Sequence, residues 1–328
     1  MRRLTRQRDV PNLRDEQGAV AVIVALIMVA LLMAAAFTID VGAMLFERGQ
    51  LQNGADAAAL AVAGNCATGT CGNTTATAQT FANQNANDGA ANVASVSEPT
   101  ANSVRVVLST KDGSTGNGFL TLPLGSLLGV NTKTVTAAAT ASWGVPASGP
   151  DHLAMAFAPC VFLPNGGMQV IGIAGGGVNN CSSTSPSGQL IPGGFSWLAD
   201  PTNTCTANVS TASPATGGST GVSISSPCQA VLSTLANKTI LLPVYSDVTG
   251  TGSGAQYTIS GFAAFTVLGW NFVGSGGSSY NNSTYPGYTC TGNCKGIIGQ
   301  FVKFVSLDDA YTTGSASNLG AQVVSLSQ

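Results

Sequence analysis

The stretch that decides how this 328-residue chain is built reads AVAVIVALIMVALLMAAAFTI over residues 19–39 and DVGAMLFERGQLQNGADAAALAVAG over residues 40–64. The first part contains 21 consecutive residues without a charge. As a helix they would span about 31 Å, which matches the roughly 30 Å hydrocarbon core of a bilayer. We therefore predict a single transmembrane helix over residues 19–39, held in the lipid bilayer of the cell membrane.

The charges that flank this apolar run predict its orientation. Five arginines precede it, at positions 2, 3, 6, 8 and 14, whereas Arg48 is the only basic residue among the thirty that follow. By the positive-inside rule, residues 1–18 are cytoplasmic and the chain from about Val41 onward is extracytoplasmic. The alternative is a signal peptide cleaved after the small residues 34–36, but the apolar run is longer than such peptides need.

An extension of the membrane helix is predicted over residues 40–65, because apolar residues recur there at helical spacing, namely Leu51, Ala55, Ala58 and Val62. Three alanines four residues apart form a stripe of small side chains that would let another helix approach closely. We predict a surface for association with another protein's helix, formed by Leu51, Ala55, Asp56, Ala59 and Ala63.

This N-terminal region resembles a known family. Residues 17–22 (QGAVAV), the apolar run, residues 40–42 (DVG) and residues 51–61 (LQNGADAAALA) are similar to the N-terminal domain of TadE/TadG-like proteins of Flp (tight adherence) pilus assembly. Gly54 stands where that family usually has alanine. The resemblance implies a membrane-anchored structural or assembly component, minor-pilin-like or accessory, whose N-terminal helix contacts pilins or other pilus-assembly proteins.

The remaining sequence predicts an α+β protein with two exported units. Residues 66–145 should form a small pilin-like unit, with a polar helix at 74–87 and strands at 92–96, 103–108 and 132–145. The apolar segment 119–128 is of ambiguous type. Two prolines in residues 146–150 (PASGP) predict a linker.

Residues 151–328 predict a β-rich domain, because strand-like runs alternate with Gly/Ser/Thr/Asn clusters. The runs cover residues 153–163, 168–173, 239–245, 257–268 and 297–307, and a short helix is predicted at 229–236. The dipeptide Asn165-Gly166 predicts a hairpin between the first two runs.

All eight cysteines follow the apolar run, and an even number on an oxidising side of a membrane predicts disulfides. The simplest pairing joins sequence neighbours: Cys66–Cys71, Cys160–Cys181, Cys205–Cys228 and Cys290–Cys294. The alternative is a zinc site formed by Cys66, Cys71, Cys290 and Cys294, although their spacings match zinc motifs loosely. We predict no cofactor and no bound metal.

Composition favours a structural protein over an enzyme or a nucleic-acid binder. Only 8% of residues are charged, and ten acidic and seven basic residues from Val41 onward leave no basic patch. Residues 217–221 match G-x-S-x-G but lie in a Ser/Thr/Gly loop instead of a strand-turn-helix, so we predict no enzymatic activity. The alternative is a membrane-tethered hydrolase or glycan-binding protein with a ligand loop formed by Tyr280, Tyr285 and Tyr288.

Overall fold

The computed structural model describes residues 13–125, 129–161, 167–173, 182–184, 190–192, 194–218, 223–250 and 252–327. Within these ranges the helices are α1 (Leu13–Ala67), α2 (Thr74–Gln84) and α3 (Ser226–Thr234). The strands are β1 (Asn92–Ser97), β2 (Ser103–Ser109), β3 (Leu120–Thr121), β4 (Thr132–Lys133), β5 (Thr136–Gly144), β6 (Pro146–Asp151), β7 (Met155–Phe157), β8 (Met168–Gly172), β9 (Ser182–Thr184), β10 (Leu190–Pro192), β11 (Phe195–Trp197), β12 (Ala207–Ser210), β13 (Ala215–Thr216), β14 (Thr239–Thr249), β15 (Gln256–Asn271), β16 (Ser279–Tyr280), β17 (Gly296–Val302), β18 (Phe304–Ser306), β19 (Thr312–Thr313) and β20 (Ala321–Ser327). The architecture is α+β, with a long apolar N-terminal helix and a β-rich, disulfide-bonded remainder.

Helix α1 is 55 residues long and continues without a break past the apolar run. At helical rise this is about 80 Å. Its first half is exposed, whereas Leu51, Ala55 and Val62 in its second half are buried. The helix therefore projects from the rest of the protein at one end and forms part of a core at the other.

The second half of α1 packs on a five-stranded sheet of order β1-β2-β5-β20-β18. The strands are antiparallel except β18 and β20, which are parallel. Strand β5 turns Ala137, Ala139 and Ala141 toward the core, as expected from the two-residue period of a strand. Small side chains on both surfaces let α1 lie close to the sheet.

The stripe predicted as an external association surface lies inside the chain, so that prediction is corrected. Leu51, Ala55, Ala59 and Ala63 are at most 3% exposed and share a core with β2, β5 and α2. Asp56 is half-buried and accepts a hydrogen bond of 2.8 Å from Gln52 Nε2. The stripe does permit a close approach, but the partners are α2 and the protein's own sheet.

Gly54 marks the closest part of this packing. A Cβ at Gly54 would lie 3.1 Å from Leu108 Cδ1 and 3.5 Å from Ala82 Cα, whereas a Cβ at exposed Gly49 would meet nothing within 4 Å. Replacing either mid-helix glycine by alanine gains about 1 kcal/mol of helix propensity. We therefore expect Gly49→Ala to raise the unfolding free energy by about that amount, and Gly54→Ala to gain clearly less because Leu108 must move.

The measurement is thermal unfolding of the full-length protein in detergent, followed by tryptophan fluorescence. Gly49→Ala is the matched control, because both substitutions change helix propensity equally. Equal stabilisation by the two substitutions would contradict the close contact at Gly54.

A second sheet of eight strands forms the larger part of the β-rich region. Its main path is β11-β7-β14-β15-β17-β8, and β13 and β16 also pair with β15. Its core contains edge-to-face aromatic pairs, including Phe265 with Phe301 at 5.0 Å and Phe157 with Phe301 at 5.6 Å between ring centroids. The sheet is thus held by one apolar cluster separate from the cluster beneath α1.

The predicted linker at residues 146–150 is a strand instead. It forms most of β6, which lies between β12 and β19 in a three-stranded sheet. Its prolines lack N–H groups, but its carbonyl oxygens still accept hydrogen bonds: Ala147 O from Thr211 N at 2.8 Å and Pro150 O from Tyr311 Oη at 2.7 Å. Proline therefore does not prevent pairing here.

Two further expectations about the β-rich region are also corrected. Residues 151–328 are not a self-contained sheet domain, because β18 and β20 complete the sheet beneath α1. The strands on either side of Asn165-Gly166 are not partners, since β7 lies between β11 and β14 while β8 pairs with β17. The dipeptide itself lies outside the described residues.

Disulfides join Cys66 to Cys71, Cys205 to Cys228 and Cys290 to Cys294, the same neighbours that the sequence pairing proposes. Both cysteine pairs of the alternative zinc site therefore form disulfides, so these four sulfurs are not available as thiolate ligands. Cys181, the proposed partner of Cys160, lies outside the described residues. Cys160 is itself disulfide-bonded.

Candidate functional site

The exposed half of α1 is the first part of the candidate site. Its large apolar side chains between Val20 and Ile39 are 48–67% exposed on all sides of the helix. Within the described residues, α1 is a helix long and apolar enough to cross a membrane, and it is therefore a candidate single span. The hydroxyl of Thr38 donates to Ala34 O at 2.8 Å, so this polar side chain is satisfied within the helix.

A hairpin lies against the C-terminal end of this apolar run. Its strands β3 and β4 pair Leu120 with Lys133 and Thr121 with Thr132. Leu122 N donates to Asn131 O at 2.8 Å and Val130 N donates to Gly125 O at 3.0 Å, which fixes the connection between the strands. The secondary-structure type of residues 119–128 is ambiguous from the sequence, because their apolar residues follow neither a helical nor a strand period.

Helix α1 and the hairpin enclose a cavity of about 400 Å³. The helix contributes residues three or four apart, which therefore share one face, namely Met33, Ala36, Phe37, Asp40, Val41 and Met44. The hairpin contributes Leu122, Leu124, Gly125 and Val130. The cavity extends along about 16 Å of the helix, across the end of the apolar run.

Asp40 is the one charged residue in this lining, and its carboxylate is not satisfied. The residue is 6% exposed, and its Oδ1 has no hydrogen-bond partner among the described residues. The hairpin covers it closely, since a Cβ on Gly125 would lie 3.2 Å from Asp40 Oδ2. A buried unpaired carboxylate is costly and calls for an explanation.

Farther along α1, Glu47 is partly shielded from water. Burial raises the pKa of Glu47, the negative charge of Asp88 raises it further, and a hydrogen bond with the Thr110 side chain opposes the rise. Among the described residues, no group of three or more His, Cys, Asp and Glu side chains could hold a metal ion.

The three tyrosines predicted as a ligand loop lie in one segment beside the Cys290–Cys294 disulfide. The Tyr280 ring stacks on Trp270 at 4.8 Å between centroids, Tyr285 is half-buried, and Tyr288 is 39% exposed. Cys290 N donates to Asn282 O at 2.8 Å and closes the segment. The G-x-S-x-G match cannot be placed, because Ser219 lies outside the described residues.

Sequence reasoning missed Asp40 and the hairpin as parts of one site. Two signals were present: an acidic residue directly after an uncharged run, and a second apolar segment at residues 119–128. Neither signal reveals that the two segments touch. The hairpin lies between β2 and β5 in the chain, so its contact with α1 depends on how these strands pack beneath the helix.

Comparison with protein families matches residues 18–65 to the Tad family, described as Flp pilus-assembly TadE/G-like. The match confirms the resemblance noted from the sequence and covers the apolar run, Asp40 and most of the buried half of α1. Comparisons with curated proteins and with solved structures give no match.

Proposed function

We propose that this protein is a membrane-anchored structural or assembly component of a Flp (Tad) type pilus apparatus, minor-pilin-like or accessory. The observation that carries the proposal is the agreement between the family match at residues 18–65 and α1, which is exposed and apolar at one end and buried against a sheet at the other. The protein acts by positioning a folded head at the membrane, where the head is the folded part of the chain that follows the apolar run. This role needs no catalytic group.

The physical basis of this role is the continuity of α1. No proline interrupts the helix between the apolar run and the sheet. A helix that is embedded in lipid at one end and packed in a core at the other transmits displacement between the two better than a flexible linker does. The head therefore keeps a defined height and direction above the bilayer.

The proposed orientation places residues 1–18 in the cytoplasm and the head outside. Five arginines precede the apolar run, which favours a cytoplasmic N-terminus. The three disulfides in the described part of the head suit an oxidising compartment on the other side. Helices α1 and α2 packed on an antiparallel sheet also resemble a pilin layout, by analogy of fold alone.

The test is site-specific photo-cross-linking in cells that assemble the pilus. A cross-linker at Leu31, which is exposed in the apolar run, should capture pilins or other pilus-assembly proteins, while one at exposed Asp309 on the head serves as a position control. External protease should digest the head and spare an N-terminal tag. Capture that is absent at Leu31, or a tag that is accessible from outside, would contradict the proposal.

A further inference from the structure

The cavity between α1 and the β3–β4 hairpin has both apolar and acidic lining. Met33 and Phe37, which belong to the apolar run, contribute apolar side chains. Asp40 lies farther along the helix, between these residues and Met44, and is 6% exposed with a buried carboxylate oxygen that has no partner among the described residues. An occupant that contacts both kinds of lining must be amphiphilic.

The chemistry of Asp40 restricts the polar end of that occupant. A carboxyl oxygen without a partner calls for a hydrogen-bond donor, so the missing group is a donor. A cationic donor is favoured, because charge-assisted hydrogen bonds are about twice as strong as neutral ones and an unpaired buried charge is costly. Among the described residues, no basic side chain lines the cavity. The polar end of the occupant is therefore an ammonium-type group.

The position of the cavity identifies the source of that group. Its lining begins at Met33 inside the run that the proposed function places in the bilayer, and it extends past Asp40 at the outer end of that run. A phospholipid at this height would have its acyl chain beside Met33 and its headgroup near Asp40. The volume of about 400 Å³ also lies within the range of small-molecule sites.

We propose that this cavity binds a phospholipid with a primary ammonium headgroup, of the phosphatidylethanolamine class. The ammonium donates to the carboxylate of Asp40, and the upper part of an acyl chain lies along Met33, Phe37 and Leu124. The proposal rests on the membrane anchor in the proposed function. A helix from another protein fits less well, because a helix with its side chains is about 10 Å across whereas the cavity holds about 400 Å³.

A bound lipid would tie the hairpin to the membrane surface. The hairpin contacts α1 through the cavity and carries Val130, which is 49% exposed. The head would then be held at two points, by α1 and by the lipid beneath the hairpin.

The test uses the full-length protein in nanodiscs that contain equal amounts of phosphatidylethanolamine and phosphatidylcholine with the same acyl chains. After gentle release, native mass spectrometry reports which lipids remain bound. We expect the wild type to enrich phosphatidylethanolamine over phosphatidylcholine by about tenfold, because the trimethylated headgroup cannot donate a hydrogen bond. Asp40→Asn, which keeps the side-chain shape, should return the ratio to that of the bilayer, whereas the exposed control Asp309→Asn should keep the enrichment.

Alkaline extraction of all three proteins separates this proposal from the membrane anchor. If they resist extraction but the wild type shows the bulk lipid ratio, the lipid site is excluded and the anchor stands. Enrichment that survives in Asp40→Asn would likewise overturn the role of Asp40. Extraction of the wild type itself would overturn the membrane anchor, and with it the lipid site that rests on the anchor. Comparison of the two headgroups on the wild type needs no variant, so the lipid proposal can be tested even if Asp40→Asn misfolds.

Discussion

Gly149→Ala is expected to destabilise the protein by about 3 kcal/mol, the upper part of the range for overpacked cores. A Cβ at Gly149 would lie 2.7 Å from Tyr311 Cε1 and 2.9 Å from Tyr311 Cγ, distances that force a movement. The Tyr311 ring has little room to move. It is 5% exposed, packs edge-to-face on Phe262 at 5.7 Å and donates from Oη to Pro150 O at 2.7 Å.

The loss should appear as a lower midpoint of thermal unfolding in detergent, followed by tryptophan fluorescence. Gly254→Ala is the control, because a Cβ at this exposed glycine would meet nothing within 4 Å. The double variant Gly149→Ala with Tyr311→Ala should lose less than the sum of the two single variants, since both act on one contact. Wild-type stability of Gly149→Ala would show that the ring does not lie over β6.

Asp151→Asn is expected to remove most of the pH dependence of stability between about pH 4 and pH 8. Asp151 is fully buried at the end of β6, and burial raises its pKa to about 8, although Leu153 N and Met155 N donate to it at 3.2 and 2.6 Å. In the unfolded chain an aspartate has a pKa of about 3.9. The folded protein therefore retains a proton that the unfolded chain has released throughout this interval.

The sign follows from proton linkage. Because the folded state binds more protons between the two pKa values, the unfolding free energy is greatest below about pH 4, falls as pH rises, and levels above about pH 8. The steepest slope from one such group is about 1.4 kcal/mol per pH unit. Asparagine does not titrate here, and its amide oxygen replaces one of the two carboxylate oxygens that accept from Leu153 N and Met155 N, so the variant loses stability at every pH but keeps no slope from this group.

Denaturant unfolding at several pH values tests this prediction. The wild type should lose stability from pH 5 to pH 8, Asp151→Asn should lose much less, and exposed Asp309→Asn should follow the wild type. A rise in wild-type stability over that interval would mean that the two backbone donors hold Asp151 ionised.

Sequence patterns predicted those parts of the fold that depend on local spacing. The apolar run and its alanine-rich continuation predict α1, and a polar segment predicts α2, which the structure ends at Gln84. The enrichment of β-branched residues in 103–108 predicts β2. In each case the residues that decide the element lie within a few positions of one another.

The failures concern contacts between distant segments. The stripe of Ala55, Ala59 and Ala63 correctly marks a face for close packing, but helical spacing does not say whether another chain or the protein's own sheet covers it. Residues 146–150 were expected as a linker because prolines weaken strands, yet their carbonyl oxygens find donors in segments far along the chain. Asp40 directly follows the uncharged run, and local sequence spacing does not predict that the hairpin covers it.

Strand β20 lies between β5 and β18 in the sheet beneath α1, although the whole larger sheet separates it from β5 in the chain. During synthesis, the packing surface for α1 therefore remains incomplete until residues 321–327 have emerged. Val324, 1% exposed, fills a part of that core which nothing earlier in the chain can fill. A product that stops before β20 would leave β5 as an open edge strand that a protease or another sheet can reach. The sheet beneath α1 therefore closes only after β20 has been made.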